Sequence, residues 1–253
     1  MNFRGFGTLL YKEMLRFYKV SLQTILAPII TTLLYLLVFS HALRESMLVY
    51  ENIAYTSFLI PGLVMMTVIQ NAFANSSSSL IQSKISGNIV FVLLTPLSHL
   101  EFYLAFLCAA VLRGLVVGLG VYLVAVLFVP VPIHSLLILF VFALLGGVLL
   151  ATLGIVAGIW ADKFDQLAGF QNFVIMPLTF LSGVFYSIHS LPEFWQLLSR
   201  FNPFFYLIDG FRYGFFGVSD VDPTVSLSIV FLIVILLAGM TLRMLSRGYK
   251  LRN

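Results

Sequence analysis

Long apolar runs dominate the chain, separated by short polar breaks. The runs fall at about 22–43, 54–75, 99–129, 134–161, 166–187 and 223–243, and each meets the roughly 20 apolar residues that a bilayer-crossing helix needs. Six spans are therefore predicted. Pro28 sits near the entry of the first, Pro61-Gly62 in the outer third of the second and Pro177 inside the fifth. A proline removes one helical hydrogen bond and crowds the preceding turn, so a kink is expected at Pro61. The third run is longer than an untilted span requires: at 1.5 Å per residue, His99 to Val129 extends about 46 Å against a hydrocarbon core of about 30 Å. Pro130 and Pro132 fix its outer end. Counting inward from there places Arg113 about 24 Å deep, near the inner boundary. There it either anchors by snorkelling or faces an inner vestibule.

The remaining segments carry different patterns. In residues 2–19, Phe3, Phe6, Leu10, Met14 and Phe17 fall within about 80° of one another at 100° per residue. Lys12, Arg16 and Lys19 project from the other side. An apolar stripe opposite a cationic face predicts an interfacial helix over 1–20. Residues 76–100 form the longest non-spanning stretch before the fifth run, with an apolar cluster of Val90, Phe91, Leu93 and Leu94 at its centre. From Met176 to Gly217 the chain leaves the fifth span, makes a short amphipathic segment (Leu191 to Arg200), breaks at Asn202-Pro203 and continues as an aromatic segment. Two short helices between two spans predict an outer re-entrant hairpin over 188–217, whose backbone must be satisfied by protein or a wet cavity. Asp209 and Arg212, three apart, are placed to meet on one helical face. The aromatic residues at 185, 186, 194, 195, 201, 204, 205, 206, 211, 213, 215 and 216 either anchor the outer interface or grip a lipidic or sugar substrate.

Composition agrees with one membrane domain spanning 1–253. The chain is 60% hydrophobic and 9% charged, against about 25% charged in soluble domains. A net charge of +4 reflects where the basic residues lie and gives no sign of nucleic acid. Arg4, Lys12, Arg16, Lys19, Lys84, Lys163, Arg243, Arg247, Lys250 and Arg252 fall on one side of the six-span layout, and Arg44, Arg200 and Arg212 on the other. Ten against three puts both termini in the cytoplasm and the hairpin outside. No Gly-x-x-x-x-Gly-Lys-Ser/Thr loop occurs, so the chain is not expected to hydrolyse ATP alone. No Cys/His pattern suggests a metal, and the lone Cys108 lies in an apolar run. His41, His99, His134 and His189 all fall near span ends. No acid sits at mid-span and no inverted repeat is visible, both of which an ion-coupled carrier would be expected to show. Gly114-x-x-x-Gly118 and Gly154-x-x-x-Gly158 permit close helix packing.

The hairpin region also resembles the signature of the ATP-binding-cassette type-2 permeases, the membrane subunits of two-component exporters of polysaccharides, drugs and nodulation factors. The matching words are Pro177, Leu181-Ser182-Gly183-Val184-Phe185-Tyr186, Leu191-Pro192, Phe201-Asn202-Pro203 and Asp209-Gly210-Phe211-Arg212-Tyr213-Gly214. Arg113-Gly114-Leu115 with Val117-Gly118 is similar as well. The resemblance implies an all-α fold of six transmembrane helices in the bacterial inner membrane. It also implies a cytoplasmic coupling helix in 76–100 that docks on a separate ATPase, which would hold the ATP and Mg. The positions matching that helix are Lys84, Asn88-Ile89, Leu93-Leu94 and Pro96-Leu97. Relatives usually carry carboxylates where this chain has Val90 and Phe91, which implies a more apolar groove or altered docking. A half-size permease implies a homodimer about a two-fold axis over two ATPase subunits. A non-transporting membrane scaffold is the competing expectation, and would be favoured if no ATPase co-purified.

Overall fold

The structure, a computed structural model, describes residues 3–42, 48–50 and 53–250. In chain order the helices are α1 (Phe3–Lys19), α2 (Ser21–Ala42), α3 (Tyr55–Ile85), α4 (Ile89–Leu94), α5 (His99–Ala125), α6 (Leu136–Trp160), α7 (Phe164–Phe170), α8 (Met176–Phe180), α9 (Glu193–Arg200), α10 (Pro203–Phe216) and α11 (Pro223–Ser246). A two-residue antiparallel ladder, β1 (Leu48–Val49) with β2 (Ile53–Ala54), precedes α3. Arg44, Glu45, Glu51 and Arg252 lie outside the described residues.

Among the described residues, five helices are long and apolar enough to cross a bilayer: α2, α3, α5, α6 and α11. The expected fifth span, 166–187, has a different form. α7, a π-turn at Gln171–Ile175 and α8 make one helical run from Phe164 to Phe180, about 25 Å long at 1.5 Å per residue. It starts beside Asp162, whose carboxylate meets Lys84 at the end of α3 and Lys250 past the end of α11. The turns that follow it reach the opposite end of the bundle, where the Tyr55 hydroxyl donates to Phe185 O at 2.9 Å.

The core is built on α3. Phe58, Leu59, Ile60, Leu63, Met65 and Ile69 are all fully buried there, against α5, α6 and α10. The α3–α6 contact depends on missing side chains: a Cβ on Gly154 would lie 2.1 Å from Ser76 Oγ and 2.6 Å from Phe73 O, and one on Gly114 2.7 Å from Val68 O. The small-residue pairs seen in the sequence thus mark the two flanks of α3. α2 and α11 expose most of their apolar surface.

Two expectations change here. α3 continues helically through 76–85, where a loop was expected. Ser76, Ser77 and Ser78 each return their hydroxyl to a carbonyl one turn back, and Ser76 also reaches Ala151 O at 2.8 Å. A serine that satisfies itself in this way packs as a small residue inside a helix. The non-helical connection shrinks to Ser86–Ser98 around α4, and the next helix is started by a capping box of Ser98 and Glu101. The second change concerns α1, whose packed face is not centred on the apolar stripe. Leu9, Glu13 and Phe17 are buried, whereas Phe3 is exposed. Arg16, expected on the cationic side, points into the bundle.

Candidate functional site

At the end of the bundle that carries Lys84 and Asp162, α4 stands out as a ridge. Ile89 is buried and fastens it, while Val90, Phe91 and Leu94 are 53%, 71% and 77% exposed. Leu93, Asn88 and Pro96 are exposed as well. A cleft of about 510 Å³ lies on the α1 side, lined by Thr8, Leu9, Lys12, Phe91, Thr95 and Pro96. Another, of about 460 Å³, lies on the other side and is bordered by Val90, Leu93, Leu94, His99, Phe102 and Leu245. The structure therefore brings together Asn88, Val90, Phe91, Leu93, Leu94 and Pro96. Lys84 belongs elsewhere. Its ammonium donates to Ile159 O at 2.9 Å and Ala161 O at 2.6 Å, and meets Asp162 at 3.1 Å. It closes the orphan carbonyls at the end of α6, a helix C-terminus that favours a cation. Lys250 reaches Trp160 O and the other Asp162 oxygen. The hydrogen bonds from Lys250 and Lys84 hold the Asp162 carboxyl below its usual range.

Beneath this surface lies a polar cluster where α1 crosses α3 and α5. Glu13 is fully buried, accepts from Ser79 Oγ at 2.5 Å and pairs with Lys12 at 3.1 Å. Arg16 donates to Asn75 O at 3.2 Å and Ser78 Oγ at 2.6 Å. Arg113 donates to Asn75 Oδ1 at 3.2 Å and lies 5.8 Å from the Phe17 ring centre. Arg113 is thus turned toward α1 and α3. Sequence reading missed Glu13, whose signal was an acid at the border of the apolar stripe of α1.

At the opposite end of the bundle the chain breaks at Asn202-Pro203 between α9 and α10, as the residues suggest. Asn202 caps α10 by accepting from Phe204 N at 3.0 Å, and its amide donates to Leu178 O at 2.6 Å. Pro203 takes the first helical position, where its absent N–H costs nothing. α10 is then almost wholly buried against α3, α6 and α11. Phe204, Phe205, Phe211 and Phe215 are core residues, and only Phe194, Trp195 and Phe201 of that aromatic set are well exposed. Asp209 and Arg212 are both buried, but each has its own partners. Asp209 accepts from Asp220 N at 2.8 Å and Val221 N at 2.9 Å. Arg212 donates to Gly183 O at 2.7 Å and stacks 3.8 Å over the Phe58 ring. Gly183 has φ of +75°, a conformation that a side chain resists, which is how its carbonyl comes to face Arg212. Asp220 gathers the neighbouring loops: it accepts from Tyr50 Oη at 2.6 Å, Ser187 Oγ at 2.7 Å and Ile188 N at 2.8 Å. Burial pushes the Asp209 carboxyl up to about 6, against the opposing pull of the Asp220 N–H and Arg212.

Comparison with known proteins covers both ends. The family model for ABC-2 type transporters matches residues 4–216, from the start of α1 to the end of α10. The inner membrane transport permease YadH of Escherichia coli (strain K12) is 36% identical over 242 residues, covering 96% of this chain and 94% of YadH. Nodulation protein J of Rhizobium leguminosarum bv. trifolii is 27% identical over 206 residues, covering 81% of this chain and 78% of its own length. Nodulation protein J of Rhizobium meliloti (strain 1021) is 24% identical over 202 residues.

Proposed function

This chain belongs to the ABC-2 type transporters as a membrane permease subunit, and from that premise we propose that it forms the translocation path of an ATP-driven exporter. It works as a homodimer with two copies of a separate ATPase beneath it. ATP and Mg sit on that partner, since this sequence has no phosphate-binding loop. The helical run from Phe164 to Phe180 serves as the fifth of six spans. That reading is supported by its start beside Asp162 and its sequel beside Tyr55, at opposite ends of the bundle. Both termini then face the cytoplasm, as the lysine and arginine distribution favours. α9 and α10 close the outer end, and the cargo is a lipid-linked, polysaccharide or drug-like amphiphile.

The observation that carries this reading is α4. An apolar ridge so exposed on the basic, cytoplasmic side needs a partner to cover it. Val90, Phe91 and Leu94 supply the anchor, with the clefts on either side receiving the partner's own projections. Lys84 supports the ridge from behind by fastening α3 to α6. The test is Phe91→Ala, assayed by co-purification with the cognate ATPase and by substrate-stimulated hydrolysis in lipid. Truncating a well-buried interfacial aromatic costs about 2 kcal/mol or more, roughly thirtyfold in affinity. The variant is expected to insert normally and to lose ATPase binding or stimulation. Unchanged binding and stimulation would show that energy enters elsewhere.

A further inference from the structure

The cluster where α1 meets α3 and α5 holds more positive charge than its own side chains neutralise. Arg16 and Arg113 come from different helices and converge on the two oxygens of one residue, Asn75. Their acceptors, Asn75 O, Asn75 Oδ1 and Ser78 Oγ, are all neutral. The one carboxylate nearby among the described residues, Glu13, acts on Arg16 through space but makes its contacts to Lys12 and Ser79. Among the described residues, no carboxylate lies within 4 Å of either guanidinium. The Arg113 Nε is buried without a hydrogen-bond partner. Two like charges brought together inside a bundle repel each other, and an anion between them relieves that repulsion.

The depth indicates the source of the anion. Asn75 lies twenty residues along α3 from Tyr55, about 30 Å at 1.5 Å per residue, which is the thickness of the hydrocarbon core. The pair therefore sits at the level of the inner headgroups. Leu112 and Val116, next to and three residues from Arg113 on α5, and Val20, just past the end of α1, are exposed apolar residues, so the helix faces flanking the pair are lipid-facing. Phe17 gives it an apolar floor. A guanidinium fork matches phosphate oxygens in a bidentate manner, which an ammonium does not.

We propose that Arg16 and Arg113 together bind a phosphate group, supplied by an anionic lipid of the inner leaflet, independently of what the protein exports. The site uses the free edges of both guanidiniums, with Asn75 and Ser78 holding them in place. Bound lipid then wedges α1 against α3 and α5.

The experiment measures thermal stability and co-purifying lipid for the full chain in three settings: phosphatidylcholine nanodiscs, the same discs with phosphatidylglycerol, and phosphatidylcholine discs with inorganic phosphate. Phosphatidylglycerol is expected to raise the midpoint and be retained by the protein. Arg16→Gln and Arg113→Gln should each lower its retention by about tenfold or more, the scale of one charge-assisted contact, and shrink the stability gain of phosphatidylglycerol over phosphatidylcholine, whatever each variant's own midpoint in phosphatidylcholine. Lys19→Gln, an exposed cation on the same helix, should retain wild-type behaviour. Should Arg113→Gln fail to accumulate, Arg113→Lys keeps the charge, loses the fork and should still show a several-fold loss. An equal effect of inorganic phosphate would assign the site to free phosphate. No stabilisation by either source, or retention in both arginine variants equal to that of Lys19→Gln, overturns the proposal.

Discussion

Arg212→Ala tests whether α10 is fastened by its buried charges. The side chain is 1% exposed, donates to Gly183 O at 2.7 Å and lies 3.8 Å over Phe58. A hydrogen bond from a charged donor contributes about 1.5–3 kcal/mol and a desolvated cation–π contact about 2 kcal/mol. Removal also leaves Asp209 without its nearest compensating cation, and breaking up a buried set of charges costs about 3–5 kcal/mol. At about 2–4 °C per kcal/mol for a chain of this size, the unfolding midpoint should fall by at least about 6 °C. Arg212→Lys keeps the charge but not the flat stacking surface, and should fall by less. Adding Asp209→Asn to Arg212→Ala removes the uncompensated charge, so the double variant should cost less than the sum of the singles. The assay is thermal unfolding by intrinsic fluorescence in nanodiscs, run alongside export. A midpoint within about 1 °C of wild type for Arg212→Ala would refute the fastening argument. Normal stability with lost export would instead assign Arg212 to gating.

Further outcomes can be checked independently. Gly154→Val should abolish accumulation, because its Cβ alone would meet Ser76 Oγ at 2.1 Å, whereas Gly169→Ala, with open space around it, should be neutral or slightly stabilising in the same expression assay. The Asp209 carboxyl titrates at about 6 when folded against an unfolded value of 3.8. A raised value favours the protonated folded state, so this stability is fully present below about pH 4 and lost as pH rises through about 6, by about 3 kcal/mol in all. Asp209→Asn should flatten that part of the pH–stability profile. A reporter fused after Asn253 should lie in the cytoplasm, and Val218→Cys should react with an impermeant maleimide from outside intact cells while Lys163→Cys does not. A tag between Asp220 and Asp222 would cut the Asp209 and Asp220 contacts, so Val218 is the better position for outside labelling.

The spans on either side of the core were legible because apolar length alone specifies them: α2, α5, α6 and α11 lie close to their hydropathy boundaries. The inner half of α3 was not legible. Ser76 to Ser79 look like loop chemistry in water, and only the approach of Gly154 and the carbonyl of Ala151 makes them interior residues. The fifth segment was read as one continuous helix because a π-turn leaves no compositional mark. In the hairpin, the break at Asn202-Pro203 was visible from capping chemistry. The burial of α10 was not, because an aromatic segment has the same composition whether it anchors at an interface or fills a core. Asp209 and Arg212 were noticed as a pair. Their actual partners are backbone groups eleven to twenty-nine residues distant, and spacing along one helix gives no access to those.

α3 also acts as a mechanical part. It is a single helix from Tyr55 to Ile85, about 46 Å from end to end. The ridge helix α4 follows at one end, and Phe58, the surface under Arg212, lies near the other. The glycine approaches of α5 and α6 grip its middle. A rod held at its centre is a lever with arms of about 23 Å, so a tilt of about 5° displaces each end by about 2 Å in opposite directions. Pro61 lies three residues from Phe58 and relaxes the helix only in its last turns on that side. If the α4 ridge takes the push proposed above, that push reaches the α10 end of the bundle as displacement of a single helix, without any chain of side-chain rearrangements between the two.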